Sequence, residues 1–205
     1  MTTRILSVLC ALLLTACSSE RSPTKENFSK AINEALHKKK LCIEHKAFVF
    51  PITLAVKDKK NASLLTILNS LHEAGLLSRS IKNKKIPVAD LSLKYERAYY
   101  FELTGPGYKA SSRIQPRNRK SPRRFCYARP HAASVAKFSK PEKVQGHTRT
   151  KVTFNYSLTQ VAPWARKKTL QRHFPDLKRN IETLARPTQR QATLELNEKR
   201  WVLVK

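Results

Sequence analysis

The sequence predicts an α+β fold with a mixed helix-and-strand N-terminal half and a mainly antiparallel-sheet C-terminal half that carries two helices. A broad face of Leu and Ile recurs at helical spacing over residues 61–74. Apolar and polar residues alternate over residues 148–161, which is typical of a half-buried strand. Two apolar stretches flank a polar turn within residues 191–204 and indicate a closing hairpin.

The N-terminal half begins with a second helical pattern. Phe28, Ile32 and Leu36 fall on one stripe, so we expect a helix that ends in the basic residues that follow. β-Branched and aromatic residues over residues 41–56 then predict a strand that ends or bulges at Pro51.

The helix over residues 61–74 is followed by Gly75, where a left-handed residue would end it. A basic loop is predicted through residues 79–87, and an extended run over residues 98–104 stops at Gly105-Pro106-Gly107. This order of elements over residues 61–107 resembles the second half of a winged-helix domain, so the resemblance implies a winged-helix-like N-terminal half. The outward positions of the helix carry no Arg or Lys to read bases, so we expect the likeness without DNA regulation.

In the C-terminal half, short strands are predicted at residues 125–128 and 134–138, before the alternating strand. Pro163 and Pro175 each open a helix, because proline suits the first helical turn. Trp164 and Trp201 are predicted to fill the core.

Composition points to an anionic partner. The 205 residues include 41 Lys and Arg against 14 Asp and Glu, a net charge of +27, while 40 % of residues are hydrophobic. The apolar share predicts a packed core, and the charge will attract lipid headgroups, lipopolysaccharide phosphate, nucleic acid or an acidic protein. With four glycines and no His-x-x-x-His or His-x-His, the sequence predicts no phosphate-binding loop, no catalytic or metal site and no cofactor.

The most basic stretch is residues 109–124, which contain no acid and only one sizeable apolar residue. We interpret it as an exposed linker or loop and as the strongest candidate contact for an anionic partner; the alternative is a charge run that only keeps the protein soluble. Its cations are Lys109, Arg113, Arg117, Arg119, Lys120, Arg123 and Arg124.

The N-terminus has the parts of an export signal: Arg4, an apolar run from Ile5 to Ala16 that is shorter than the roughly 20 residues of a membrane span, and small residues before Cys17. Leu14-Thr15-Ala16-Cys17 resembles the lipobox of bacterial lipoproteins. The resemblance implies cleavage before Cys17, diacylglycerol on its sulfur and acylation of its amine. The residue after Cys17 is Ser18 and not Asp, which resembles the sorting pattern of outer-membrane lipoproteins. The resemblance implies an anchor in the outer membrane that faces the periplasm. The alternative is a plain secretory signal with an incidental cysteine.

With Cys10 in the signal and Cys17 lipidated, Cys42 and Cys126 remain, and an even pair in an exported protein predicts a disulfide. Two free thiols or a metal pair are the alternatives.

These observations predict five segments: a signal peptide (residues 1–16), a lipidated tether (17–23), a winged-helix-like region (24–108), the basic linker (109–124) and a β-rich region with a helical insert (125–205). The leading hypothesis is a non-catalytic envelope lipoprotein held on a membrane through Cys17, whose basic surface binds an anionic envelope polymer, lipid headgroups or an acidic protein. A toxin neutralised by an immunity-type lipoprotein is one such protein. Nucleic-acid binding and an envelope enzyme are the other hypotheses.

Overall fold

The computed structural model describes residues 20–57, 59–87 and 93–204. Its helices are α1 (Lys25–His37), α2 (Ala62–Glu73), α3 (Gly105–Ala110), α4 (Lys168–His173) and α5 (Pro175–Glu182). Its strands are β1 (Leu41–Glu44), β2 (Ile52–Ala55), β3 (Leu77–Pro87), β4 (Leu93–Leu103), β5 (Ser111–Arg113), β6 (Arg123–Phe138), β7 (Glu142–Val144), β8 (His147–Thr159), β9 (Thr188–Leu196) and β10 (Trp201–Leu203). Short 3₁₀ turns precede α2 and α4.

The larger sheet has seven antiparallel strands and is built around β6 and β8. Its main order is β1-β6-β8-β9-β10, with β5 beside β6 and β7 beside β8. α1 packs on this sheet through Phe28, whose ring lies edge-on to Phe138 and Trp201 at centroid distances of 4.9 and 5.1 Å. The Asn33 amide fastens the helix to β6, since it donates to the Ala132 carbonyl (3.1 Å) and accepts from the Ala132 N–H (2.8 Å).

The smaller sheet has the order β2-β4-β3 and carries α2. Leu68 and Leu71 of α2 are fully buried. The helix ends in a Schellman motif, in which Gly75 (φ +76°) donates to the His72 carbonyl and Leu76 donates to the Leu71 carbonyl. The predicted helix over residues 61–74 and its glycine terminator are therefore confirmed.

The predicted winged-helix-like N-terminal half is wrong. α1 does not join α2 and the small sheet in a separate unit; it packs on β6 and β10, and β1 pairs with β6. The apolar stripe of α1 finds its partners, Phe138 and Trp201, near the other end of the chain. The α+β division into two halves is therefore replaced by a mixed fold of 30 % helix and 42 % strand on a strongly curled antiparallel sheet.

Some of the predicted helices, strands and buried residues are confirmed and others are wrong. The β9–β10 hairpin, the helix α1 and burial of Trp201 (2 % exposed) are confirmed. The predicted basic loop over residues 79–87 is wrong, because these residues belong to β3, and the two short strands predicted within residues 125–138 are one continuous strand, β6. Among the described residues, no helix is both long enough and apolar enough to span a membrane.

Candidate anion-binding site

The predicted signal, residues 1–16, and residues 17–19 of the tether, with Cys17, lie outside the described residues. The lipid anchor therefore stays a prediction. The described chain begins at Glu20, and it is fixed to the body immediately afterwards, since the Arg21 carbonyl accepts a hydrogen bond from the Trp201 indole (3.0 Å).

The predicted disulfide is confirmed. Cys42 of β1 and Cys126 of β6 are paired neighbours in the antiparallel ladder, and their sulfurs are bonded across 84 residues of sequence. The bond fastens the edge strand β1 to the centre of the larger sheet.

The basic run, residues 109–124, forms an ordered hairpin. Lys109 lies in α3, Arg113 ends β5, and Arg123 and Arg124 begin β6, with Arg113 paired opposite Arg123. Arg117, Arg119 and Lys120 lie exposed in the connecting loop. The loop is held by the buried Ser121, whose hydroxyl accepts from the Gln115 N–H (2.9 Å). We call residues 109–124 the basic hairpin.

Two of its seven cations are engaged within the protein. Arg123 is only 8 % exposed, its Nε donates to the Ser111 hydroxyl (2.9 Å), and its guanidinium lies 4.9 Å from the Tyr108 ring centre. Burial, and then the nearby Arg113, lower the pKa of Arg123. Arg124 lies 3.6 Å from the Glu44 carboxylate. Arg123 therefore shapes the hairpin and is not exposed for a partner.

The other five cations of the hairpin form no ion pair within the described part of the chain. They are Lys109, Arg113, Arg117, Arg119 and Lys120. Lys109 also lines a recess of about 240 Å³ whose lining residues include Lys40 and Arg129 and no carboxylate. The hairpin thus offers clustered, uncompensated positive charge.

A second basic surface lies on the β3–β4 ribbon, which sequence reasoning missed as a structured feature. β2 covers only the part of β4 from Ala98 to Phe101, so the outer part of the ribbon has no third strand. Lys82, Lys84 and Lys85 are exposed there, beside Tyr95, which is 55 % exposed. Residues 79–85 contain a single apolar residue, Ile81, so no alternation in the sequence signalled this strand.

Sequence reasoning also missed a cleft of about 600 Å³ between β1 and α5, because its lining comes from five separate segments of the chain. Buried Tyr127 and Tyr156 contribute to it, and desolvation raises the pKa of both phenols. Across the described residues, no group of three His, Cys, Asp or Glu side chains is placed to hold a metal ion.

Comparison of the chain with protein-family models, with curated proteins and with solved structures found no match.

Proposed function

We propose that the chain is a non-catalytic envelope lipoprotein, anchored through lipid on Cys17, whose basic surface binds an anionic envelope component such as lipopolysaccharide or acidic lipid headgroups. The lipobox resemblance supports the anchor. Several acyl chains on one residue would make the attachment stable, because a single chain binds a membrane only marginally.

The observation that carries the binding proposal is the basic hairpin. Five of its cations have no ion-pair partner in the described chain, and residues 109–124 contain no acid. Exposed cations held on an ordered hairpin lose less freedom on binding than cations on a disordered tail. A polyanion that meets them releases its counterions, so affinity should fall steeply as salt rises.

The binding test uses the full chain with Cys17→Ser, which remains unlipidated, and measures its affinity for lipopolysaccharide and for phosphatidylglycerol vesicles. Replacing Arg117, Arg119 and Lys120 together with Gln should weaken binding about tenfold or more, at about 0.5 to 1 kcal/mol for each lost contact. The matched control replaces exposed Lys140, Lys143 and Lys199 with Gln, which removes the same charge elsewhere. Equal losses in the two triple variants would show that only net charge matters and would contradict the role of the hairpin.

The anchor has its own test. Wild-type chain expressed in a bacterium that processes lipoproteins should incorporate radiolabelled fatty acid, and the Cys17→Ser variant should not. Label in both chains, or in neither, would refute lipid attachment at Cys17.

An acidic protein partner is a second candidate, and one feature favours it. An open apolar groove of about 670 Å³ runs between α1 and the edge strand β10. Val202 and Leu203 line it, and Lys38 and Lys39 stand at its margin. Arg200, also in the lining, is paired with Glu34 (2.8 Å). Such a groove suits an acidic partner with apolar anchors, as in a toxin and its immunity protein. Capture of one stoichiometric acidic protein from an envelope extract, lost on Val202→Asp, would support it; salt-labile polymer alone would refute it.

The nucleic-acid hypothesis drew on the winged-helix resemblance and on the basic run of residues 109–124. The fold does not contain the winged-helix-like half, and the basic run alone does not distinguish nucleic acid from other polyanions, so we do not propose it.

A further inference from the structure

We propose that the cleft between β1 and α5 binds a small oxyanion, such as the phosphate or carboxylate group of a sugar-sized molecule. No residue of the basic hairpin lines this cleft, although Arg124 of the hairpin pairs with Glu44 at the rim. The proposal does not depend on the proposed function. Its lining contains two phenols, cations without an ion-pair partner among the described residues, an amide and hydroxyls. They belong to Tyr127, Tyr156, Lys40, Arg190, Asn180, Thr183 and Thr188.

The floor of the cleft is built by a β-bulge. Leu41 pairs with Ala128, but the adjacent Cys42 pairs with Cys126, so Tyr127 has no partner across the ladder to β1. Bulges of this kind re-aim a side chain and recur beside functional sites. The Tyr127 backbone is held instead by Ala162, whose N–H donates to the Tyr127 carbonyl (2.7 Å).

The Tyr127 hydroxyl is positioned as a donor. The Asn180 amide of α5 donates to it (2.8 Å), which uses an oxygen lone pair and leaves the hydroxyl hydrogen to donate. An ordinary phenol is already protonated at neutral pH, and desolvation raises the pKa of this one further. A buried hydroxyl that retains a free hydrogen in a cleft is suited to an oxyanion.

The rim of the cleft has a surplus of positive charge. Its two acids are already neutralised, Asp176 by Arg179 and Glu44 by Arg124. Lys40 and Arg190 form no ion pair with any described residue. The guanidinium of Arg190 lies over the Tyr156 ring, 3.4 Å from its centre, which limits the conformations of this side chain at the rim.

The size of the cleft indicates a small molecule. About 600 Å³ falls in the usual range of roughly 300 to 1,000 Å³ for small-molecule sites. Thr188 adds a hydroxyl beyond the charged group, which suits a sugar carrying the oxyanion, whereas the buried Thr183 hydroxyl already donates to the Asn180 carbonyl (2.7 Å).

The test titrates the full Cys17→Ser chain with inorganic phosphate, glucose 1-phosphate, galacturonate and neutral glucose, and follows binding by calorimetry and by NMR shifts at Asn180 and Thr188. At least one anion should saturate with a Kd of about 1 mM or lower, on the order of −4 kcal/mol, and glucose should not. Glucose 1-phosphate and galacturonate distinguish a phosphate from a carboxylate ligand.

Single variants locate the site. Lys40→Gln and Tyr127→Phe should each weaken binding about tenfold, because a hydrogen bond to a charged group is worth about 1.5 kcal/mol or more. Lys143→Gln, in the β7–β8 hairpin away from the cleft lining, is the matched control and should leave the Kd within about twofold, as expected of a remote exposed charge. Lys40 is exposed, so its variant should fold even if replacing buried Tyr127 disturbs the core. The proposal is overturned if no anion saturates by about 10 mM, a range beyond the affinities expected here, or if Lys143→Gln weakens binding as much as Lys40→Gln.

Discussion

At the scale of single residues, Gly107 has the tightest requirement among the described glycines. A Cβ at this position would lie 1.9 Å from the Leu76 backbone oxygen. The approach is enforced by Thr104, which donates from its N–H to the Leu76 carbonyl (3.1 Å) and accepts from the Gly107 N–H (3.0 Å). We therefore expect Gly107→Ala to lower the free energy of unfolding by about 3 kcal/mol, measured by urea denaturation.

Gly105 is the matched control for this change, since a Cβ there would meet nothing within 4 Å. Gly105→Ala should shift the free energy of unfolding by about 0.5 kcal/mol or less. If the two variants unfold alike, the close approach of α3 to Leu76 is wrong. The sequence indicates the role of Gly75, which follows from local helix geometry, but not that of Gly107, which depends on a contact between distant segments.

The buried phenols of Tyr127 and Tyr156 should make the free energy of unfolding depend on pH in the alkaline range. Burial raises the pKa of both phenols above the ordinary value of 10.0, so the folded state holds these protons more tightly than the unfolded state does. Their contribution is fully present below about pH 10 and is lost as pH rises through the folded pKa. Between pH 9 and 11, about the range where phenols titrate, the free energy of unfolding of Tyr127→Phe should fall less steeply than that of wild type. Tyr95→Phe, at an exposed tyrosine, should keep the wild-type slope; a Tyr127→Phe slope equal to wild type would contradict the burial argument.

At the scale of elements, the disulfide secures the short edge strand β1. Four residues pair β1 with β6, and the Cys42–Cys126 bond closes a loop across a sequence separation of 84. Replacing both cysteines with Ser should lower the free energy of unfolding by about 2 to 4 kcal/mol, chiefly because the unfolded chain gains freedom. Urea denaturation measures the loss.

A reducing agent should destabilise the wild-type chain by a similar amount and leave the double Ser variant unchanged. Cys42 also lines the cleft between β1 and α5. If β1 becomes less firmly paired with β6 without the disulfide, the double variant should bind the anionic probes more weakly. Undiminished stability of the double variant would mean that the hydrogen bonds and packing of β1 suffice alone.

The elements also show which patterns could be read from sequence. α2 was predictable because its apolar face and Gly75 act locally. β3 was misread because its outer part is exposed on both faces, so no burial imposes an apolar alternation there. β6 runs on between the two predicted strands, where Pro130 lies in the ladder opposite Leu158, close to a register shift that follows at Ala132.

The packing of α1 could not be predicted from the sequence pattern. Its apolar stripe correctly indicated a helix with one buried face. The apolar stripe does not indicate which part of the protein packs against it. In the structure its partners are Phe138 and Trp201 and not α2. The same limit separates the two candidate sites, since the basic hairpin is contiguous in sequence whereas Lys40, Tyr127 and Arg190 meet only in the folded chain.

At the scale of the whole molecule, a net charge of +27 makes salt act in opposite directions on folding and on binding. Like charges repel within the compact state, and added salt screens that repulsion, so stability should rise with ionic strength. For the Cys17→Ser chain we expect the melting temperature to increase by about 2 to 4 °C between roughly 0.02 and 0.3 M NaCl, which corresponds to about 1 kcal/mol for a chain of this size.

Over the same salt range, affinity for lipopolysaccharide should fall, because fewer counterions are released when more salt is present. Calorimetric melting and vesicle or polymer binding on one preparation separate the two effects, and uncharged sucrose at equal osmolality is the control for general solvent exclusion. If the basic hairpin binds polyanions through Arg117, Arg119 and Lys120, the affinity should depend less steeply on salt concentration once these residues are replaced. The melting temperature should still rise with salt in that variant, by a smaller amount. A melting temperature that falls with salt would instead show that specific ion pairs, such as Arg149 with Glu195 at 2.8 Å, outweigh the repulsion among the unpaired cations.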